Sequence, residues 1–418
     1  WDTHFPFPYL VVAGTRERDL VSGRSTALDF NYHQAHYEPN TRQFHGFRRS
    51  ERIERSNGSL SRADVRIVFH YLMGQERLPG NGLEHAALNG MLHRSETYSL
   101  DGSPDQNRPY RTEVSEYGLS VLGMLPDGRK RSFVFVAKHR LEDTERTNTG
   151  DLRGEEKTYT YDANGNVTKE QHRGYGTHAG VAQPERKRTS EISYANSTTA
   201  WLLDRPSRIV VRDEAGALLS ETRRYYDGPD FVGLPLGQTV RGLLSREEAL
   251  VLLQAEFDAH YAGMNAATLG YAASNDVDGH LALFTQTGRC AYNTHGVKTA
   301  IQDELGNTSA YEHDADQLFR IKLTDAAGVT QFAFDRAIGQ PTRIAYADGT
   351  QAQFAYDAQG RVTATALPGE SLADAPRQYR YDDANVPHAR IAQLRFAPGA
   401  AGLAGARRRD RLRQRARQ

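Results

Sequence analysis

The residues able to do chemistry are few and poorly spaced for it. His33, His36 and His45 lie close together in sequence, and imidazole is a common metal ligand. His33 and His36 are three apart in a stretch that alternates apolar and polar residues, so a strand places them on opposite faces and away from a shared metal. Asp276-Val277-Asp278-Gly279 opens like a calcium loop but lacks the later ligands and the closing Glu. Cys290 is the only cysteine, which excludes an internal disulfide and a multi-thiolate zinc centre. In the run Cys290-Ala291-Tyr292 it reads as a small packed residue. The chain holds no nucleophile elbow, no His-Glu-x-x-His helix and no phosphate-cradling loop. No pair of carboxylates stands apart from the turn aspartates as a glycosidase would require. The expectation is no catalytic residue, no cofactor and no metal.

The aspartates recur where turns need them. In Thr158-Tyr159-Thr160-Tyr161-Asp162-Ala163-Asn164-Gly165-Asn166-Val167-Thr168, the two Tyr share one strand face and the two preceding Thr the other. Asp162 can accept from backbone N–H groups just downstream, and Gly165 can enter the left-handed region, which predicts a type I turn closing on a Gly bulge. Tyr356-Asp357-Ala358-Gln359-Gly360-Arg361-Val362-Thr363 repeats the unit. Asp213 with Gly216, Asp303 with Gly306, and Asp325 with Gly328 repeat the turn between strand-like runs. Phe334-Asp335 and Tyr381-Asp382 repeat the aromatic–Asp step. Tyr311 to Phe334 is 23 residues, Phe334 to Tyr356 is 22 and Tyr356 to Tyr381 is 25. Such a period signals stacked hairpins. Asp151–Gly154, Asp230–Gly233 and Asp276–Gly279 also fit the spacing but lack clear flanking strands.

Composition suits this reading. Lys+Arg and Asp+Glu both number 52, so no global charge favours nucleic acid or an anionic membrane. No apolar run is long enough for a spanning helix, so direct membrane insertion is not expected. Tyr outnumbers Phe, 21 to 16, and Gly reaches 37, as in amphipathic strands joined by tight turns. Strands are expected at 7–12, 26–37, 65–72, 112–122, 131–138, 192 onward, 208–212, and throughout 281–396. Gly46, between Phe44 and Phe47, suggests a bulge or a close backbone approach. Helix is expected over 83–92 and 246–261. The second is opened by Ser245-Arg246-Glu247-Glu248 as a capping box and carries Leu250, Leu253, Phe257 and Tyr261 as its stripe. Residues 143–156 and 174–188 read as loops. Four segments follow: 1–173, β-rich; 174–290, β-rich with one helix; 291–396, repeats; and 397–418, an Arg-rich tail that reads as disordered or artefactual. The chain begins at Trp1 and reads as a fragment, so the lack of a visible signal peptide says nothing about export.

The aromatic–Asp units resemble the YD repeats of RHS-type proteins. The rest resembles the middle region of insecticidal Tc toxin B components, which follows their β-propeller. The resemblance rests on Phe5-Pro6-Phe7-Pro8 with Val11-Val12, Tyr32-His33 with Tyr37, and Arg42-Gln43-Phe44-His45-Gly46-Phe47. It continues through Glu96 to Pro104, Pro109-Tyr110, Glu116, Tyr225-Tyr226-Asp227-Gly228, Gly233 to Gly237, and Arg241 to Arg246. The family's usual Phe-Arg-Gly-Phe-Gly stands here as Phe44-His45-Gly46-Phe47-Arg48, and the propeller, the self-cleaving aspartate site and the toxin are missing from these residues. The resemblance implies an all-β fold: hairpins in a large spiralled sheet, forming the non-catalytic wall of a hollow shell. B components join C components in that shell, which encloses a cytotoxic polypeptide and docks through the propeller on a pentameric A-component channel. Secretion after synthesis in a bacterial cytoplasm is implied as well. The alternative is a general RHS/YD-repeat surface or effector protein that binds carbohydrate or protein.

Overall fold

Sequence neighbours are spatial neighbours along most of this chain. The computed structural model describes residues 8–20, 23, 25–38, 42–56, 63–74, 86–126, 128, 130–144, 146, 151–375, 377–382 and 389–394. Of these residues 61% are strand and 5% helical, so the all-β expectation holds. The strands form one 16-stranded and one 10-stranded sheet. In the first, each strand from Gly14–Arg18 to Leu244–Leu253 lies beside the next in chain order, apart from the two-residue strand Val181–Ala182, which pairs only with Val167–His178. The order inverts once, where Leu281–Thr287 sits between Leu244–Leu253 and the outermost strand Tyr271–Asn275. The second sheet runs in unbroken chain order from Arg289–Tyr292 to Ala389–Leu394.

The chain divides into two compact units, 1–193 with 209–220 and 194–208 with 221–418. The first unit has long strands, including Ser25–Glu38, Arg111–Met124 and Lys130–Thr144, the last of 15 residues. At about 3.4 Å per residue such a strand spans roughly 50 Å. Among its described residues few side chains are fully buried; Ala35, Val68, Met73 and Leu88 come nearest. Backbone ladders and cross-strand charge pairs therefore carry much of the sheet. His33, Arg49, His70 and Arg94 stand in one register row. Two positions along, Glu51 pairs with Arg49, and Glu96 takes both His70 (3.2 Å) and Arg94 (2.6 Å). Opposite charges on one face favour this register over its neighbours. Of the two readings of Gly46, the bulge is the one present: its φ is +101°, the register with Ser25–Glu38 shifts just beyond it, between His36 and Tyr37, and no described backbone approaches its open side.

The second unit has a denser centre. Ala282, Leu283 and Phe284 of Leu281–Thr287 are fully buried, and Phe257 nearly so. The strands of its 10-stranded sheet run four to eight residues and pair antiparallel throughout.

Several sequence expectations fail. Residues 246–253 are strand, and helix covers only Gln254–His260. Leu250, Leu253 and Phe257 fit a helical stripe, but Ser245 caps nothing: its hydroxyl donates to the carbonyl of Asp227, while Glu248 accepts from Tyr225 and Gln286. Distant partners outweigh the local cap. Of 83–92, residues 83–85 lie outside the described set, Ala86–Leu88 form one 3-10 turn, and Leu92 already begins a strand. Residues 8–13 are not strand; the first strand is Gly14–Arg18. Of the loops expected at 143–156 and 174–188, residues 145 and 147–150 lie outside the described set and the rest is largely strand, because Leu152–Tyr161, Val167–His178 and Arg186–Ser197 continue the meander with polar residues on both faces. The Arg-rich tail, 397–418, lies outside the described residues.

Candidate functional site

Among the described residues no three His, Cys, Asp or Glu side chains converge as metal ligands would. His33 turns toward Glu51 at 3.8 Å, while the rings of His36 and His45 pack 5.5 Å apart. Cys290 is buried, with its thiol against the carbonyl of Gly288. An open depression of about 430 Å³ lies beside the helix, lined by Phe257, Met264, Tyr271 and Leu283. Its one carboxylate, Asp258, already accepts from Gln254 at 2.8 Å. Nothing there pairs an acid with a base.

The turn residues have a common geometry. At Asp162 the backbone N–H donates to the carbonyl of Asn166 (2.9 Å), and Gly165 N–H donates back to the carbonyl of Asp162 (3.2 Å). The Asp162 carboxylate accepts from the amides of Asn164 and Asn166 and from the Asn166 side chain. Gly165 sits at φ +87°. Asp303 with Gly306 and Asp357 with Gly360 reproduce these bonds, with Asn307 and Arg361 in the place of Asn166. Asp213 with Gly216 has the same backbone pair, and Ala217 N–H donates to its carboxylate. Asp325 differs. It pairs directly with Gly328 across a two-residue loop, and Gly328 reaches φ +115°. Burial pushes Asp162 and Asp357 up, but the donors around each outweigh it and leave both below the ordinary carboxylate range. An acid held ionised within its own turn is a poor proton donor.

Sequence reasoning missed two members of this set. Asp276–Gly279 is the same turn, with Asp276 accepting from the amides of Asp278 and His280; the apparent calcium loop is a hairpin end. Asn293–Gly296 is the turn with Asn in the Asp position. Four-residue spacing to Gly was the available signal in both.

A concentrated set of buried charges lies in the second unit, centred on Glu221 and Arg223, which no motif marked. Glu221 is 0% exposed and Arg223 4%. Glu221 accepts from Arg223 Nε (2.7 Å) and from the Val277 amide (2.7 Å), and Arg208 Nε stands 3.2 Å away. Arg223 goes on to donate to Ser274 and to the carbonyl of Asn275 on the outermost strand, and its guanidinium lies 4.1 Å from the centre of the Phe284 ring. This ion pair thus satisfies backbone groups at the end of an edge strand. Nearby, Glu248 accepts from Tyr225 and Gln286, and Arg246 stacks on the Tyr225 ring. The Asp227 carboxylate gathers five donors. Its Oδ2 accepts from Thr239 Oγ1 (2.9 Å) and the amides of Val240 (2.7 Å), Arg241 (2.9 Å) and Gly242 (3.1 Å), and its Oδ1 from Leu243 N (3.1 Å). Burial pushes the Asp227 carboxyl up, but the amide and hydroxyl donors outweigh it and leave it below the ordinary carboxylate range. The carboxylates of Glu221, Asp227 and Glu248 thus find their donors within the protein, while Arg208 Nε and Arg246 Nε are buried without a hydrogen-bond acceptor.

The chain superimposes on TcdB2-TccC3 with a TM-score of 0.72 at 16% identity, over 94% of its own length and 23% of that chain. The fold is that of the TcdB2-TccC3 structures. A Photorhabdus luminescens Tc holotoxin pore gives a TM-score of 0.69 at 16% identity, over 90% of this chain and 22% of that one. Residues 1–74 match the family model of the insecticide toxin TcdB middle/N-terminal region, and residues 334–371 that of the RHS repeat. The resemblance drawn from Arg42–Phe47 and from the Tyr356-Asp357 repeat is thereby upheld. No curated protein matches the chain. It spans about a quarter of the structures it matches.

Proposed function

We propose that this chain is a wall segment of a hollow RHS/YD-repeat shell that encloses a cytotoxic polypeptide in a Tc-type toxin complex. The observation that carries the reading is the pair of antiparallel sheets, 16 and 10 strands long, which share the fold of TcdB2-TccC3 over nearly the whole chain. The partners are a C-component shell with its cargo and, through a propeller, an A-component channel. The role is structural and non-catalytic: aspartates sit in turns, and buried charges are paired. The segments 1–173, 174–290 and 291–396 serve as successive stretches of wall, and the assembly acts outside the cell that makes it.

The test is protection of cargo. The full-length gene product is co-expressed with its C component and exposed to protease. The cargo should survive until the shell is denatured. Digestion of the cargo at the rate of the free polypeptide would remove the enclosing role.

A further inference from the structure

Residues 227–243 connect two strands of the first sheet, Leu218–Tyr226 and Leu244–Leu253. Yet the outward bonds of this loop go to the start of the second sheet. Phe231 N–H donates to the carbonyl of Cys290 (3.1 Å). The Arg241 guanidinium donates to the carbonyls of Asn293 (3.4 Å) and Thr294 (2.9 Å), in the turn that follows Arg289–Tyr292. At the loop's far end, the Tyr292 hydroxyl donates to the carbonyl of Leu244 (2.8 Å).

None of the loop's apolar side chains is fully buried: Phe231, Leu234, Leu236 and Leu243 are half-buried. Val232 and Val240 are exposed, and Gly228, Gly233, Gly237 and Gly242 all have positive φ. A segment this rich in glycine loses much conformational entropy when it is ordered. The compensating element is the Asp227 carboxylate. It gathers five donors from Thr239 to Leu243, and Asp227 N–H donates to the carbonyl of Leu243 (2.7 Å). Charge-assisted bonds of this kind are about twice as strong as neutral ones. Arg241 lies in the middle of the gathered segment, so the carboxylate fixes the backbone from which Arg241 reaches out.

We propose that Asp227 is a fixed joint: its carboxylate holds residues 239–243 in the one conformation that lets Arg241 clasp the first turn of the second sheet, and so sets the path from one sheet to the next. The clasp depends on the joint, and the joint does not depend on the clasp.

That asymmetry is testable by hydrogen exchange on the full-length gene product. In Asp227→Asn an amide replaces the carboxylate, and a single carbonyl oxygen cannot serve donors gathered on both oxygens. Amides of 240–243 should exchange at least tenfold faster, and amides of 293–297 should lose protection with them. In Arg241→Ala only 293–297 should lose protection, while 240–243 stays as in the parent. If Asp227→Asn does not fold, Thr239→Val removes one donor and should speed exchange at 240–243 by a smaller factor. Unchanged exchange at 240–243 in the Asp227 and Thr239 variants, or loss of protection in both segments of Arg241→Ala, would overturn the proposal.

Discussion

The ring of Tyr175 lies across Gly154, its registered partner on the adjacent strand, so closely that any Cβ at 154 would fall inside the ring's van der Waals surface. The Tyr175 hydroxyl then donates to Glu142 at 2.7 Å, one strand further on. Phe135 covers Gly118 in the same way. A missing side chain on one strand is thus filled by an aromatic from the next, which restores packing on a sheet face that has little other core.

Gly154→Val should therefore destabilise the protein by about 1–3 kcal/mol, the usual cost of overpacking. Urea unfolding of the parent, Gly154→Val and the double variant with Tyr175→Ser checks it. The valine should cost less once the ring is gone.

The turns allow a comparison of Asp and Gly. Asn293 already occupies the first position of one turn, accepting from the amides of His295 and Val297 at 3.0 Å. Asp162→Asn should therefore cost under about 1 kcal/mol. Gly165→Val should cost about 1–3 kcal/mol, because it combines φ +87° with a Cβ 2.9 Å from the Phe133 ring. Gly360→Val, with no close neighbour, should cost less than Gly165→Val. If Asp162→Asn proves as harmful as Gly165→Val in thermal unfolding, the role of Asp162 depends on its charge.

Removing Glu221 strands Arg223 in a buried site. Glu221→Gln should cost about 3–5 kcal/mol. Replacing the pair together, as Glu221→Leu with Arg223→Met, should recover much of that loss, since neither charge is then left alone. Denaturant midpoints of the two variants decide the point. If the double change is the worse of the two, the bonds of Arg223 to Ser274 and Asn275 matter more than the desolvation of an unpaired charge.

The pH dependence has two arms. The pKa values of Asp162, Asp227, Asp303 and Asp357 are depressed in the fold. Their contribution is present above the unfolded value of about 4 and lost as pH falls through the folded values. Tyr175 and Tyr292 are raised to about 12, chiefly by burial. Their contribution is complete below about 10 and lost as pH rises toward about 12. Thermal midpoints should fall at both ends, and Tyr175→Phe should flatten the alkaline arm.

Much of this was legible in the sequence because much of it is local. A turn from Asp162 to Gly165 is closed by bonds spanning three and four residues, so its residues carry the whole signal. Asp227 draws its donors from 12 to 16 residues away, and Glu221 reaches Val277, 56 residues on. Neither relationship leaves a mark in a local window. The failure at 246–253 has the same origin. The apolar spacing there suits a helix, and only the tertiary partners of Ser245 and Glu248 decide for a strand.

Because each strand of the second sheet pairs with its chain neighbour, the sheet can lengthen without disturbing what is already built. One constraint remains. Adding a single antiparallel strand reverses the chain's direction, so whatever followed would leave from the opposite rim. Adding two restores the direction and keeps the turn that carries Asp and Gly on its original rim. The steps of 23, 22 and 25 residues between Tyr311, Phe334, Tyr356 and Tyr381 each hold two strands. The hairpin is therefore the smallest unit by which duplication or loss of sequence can change the size of this protein and leave the remaining hairpins facing as they did.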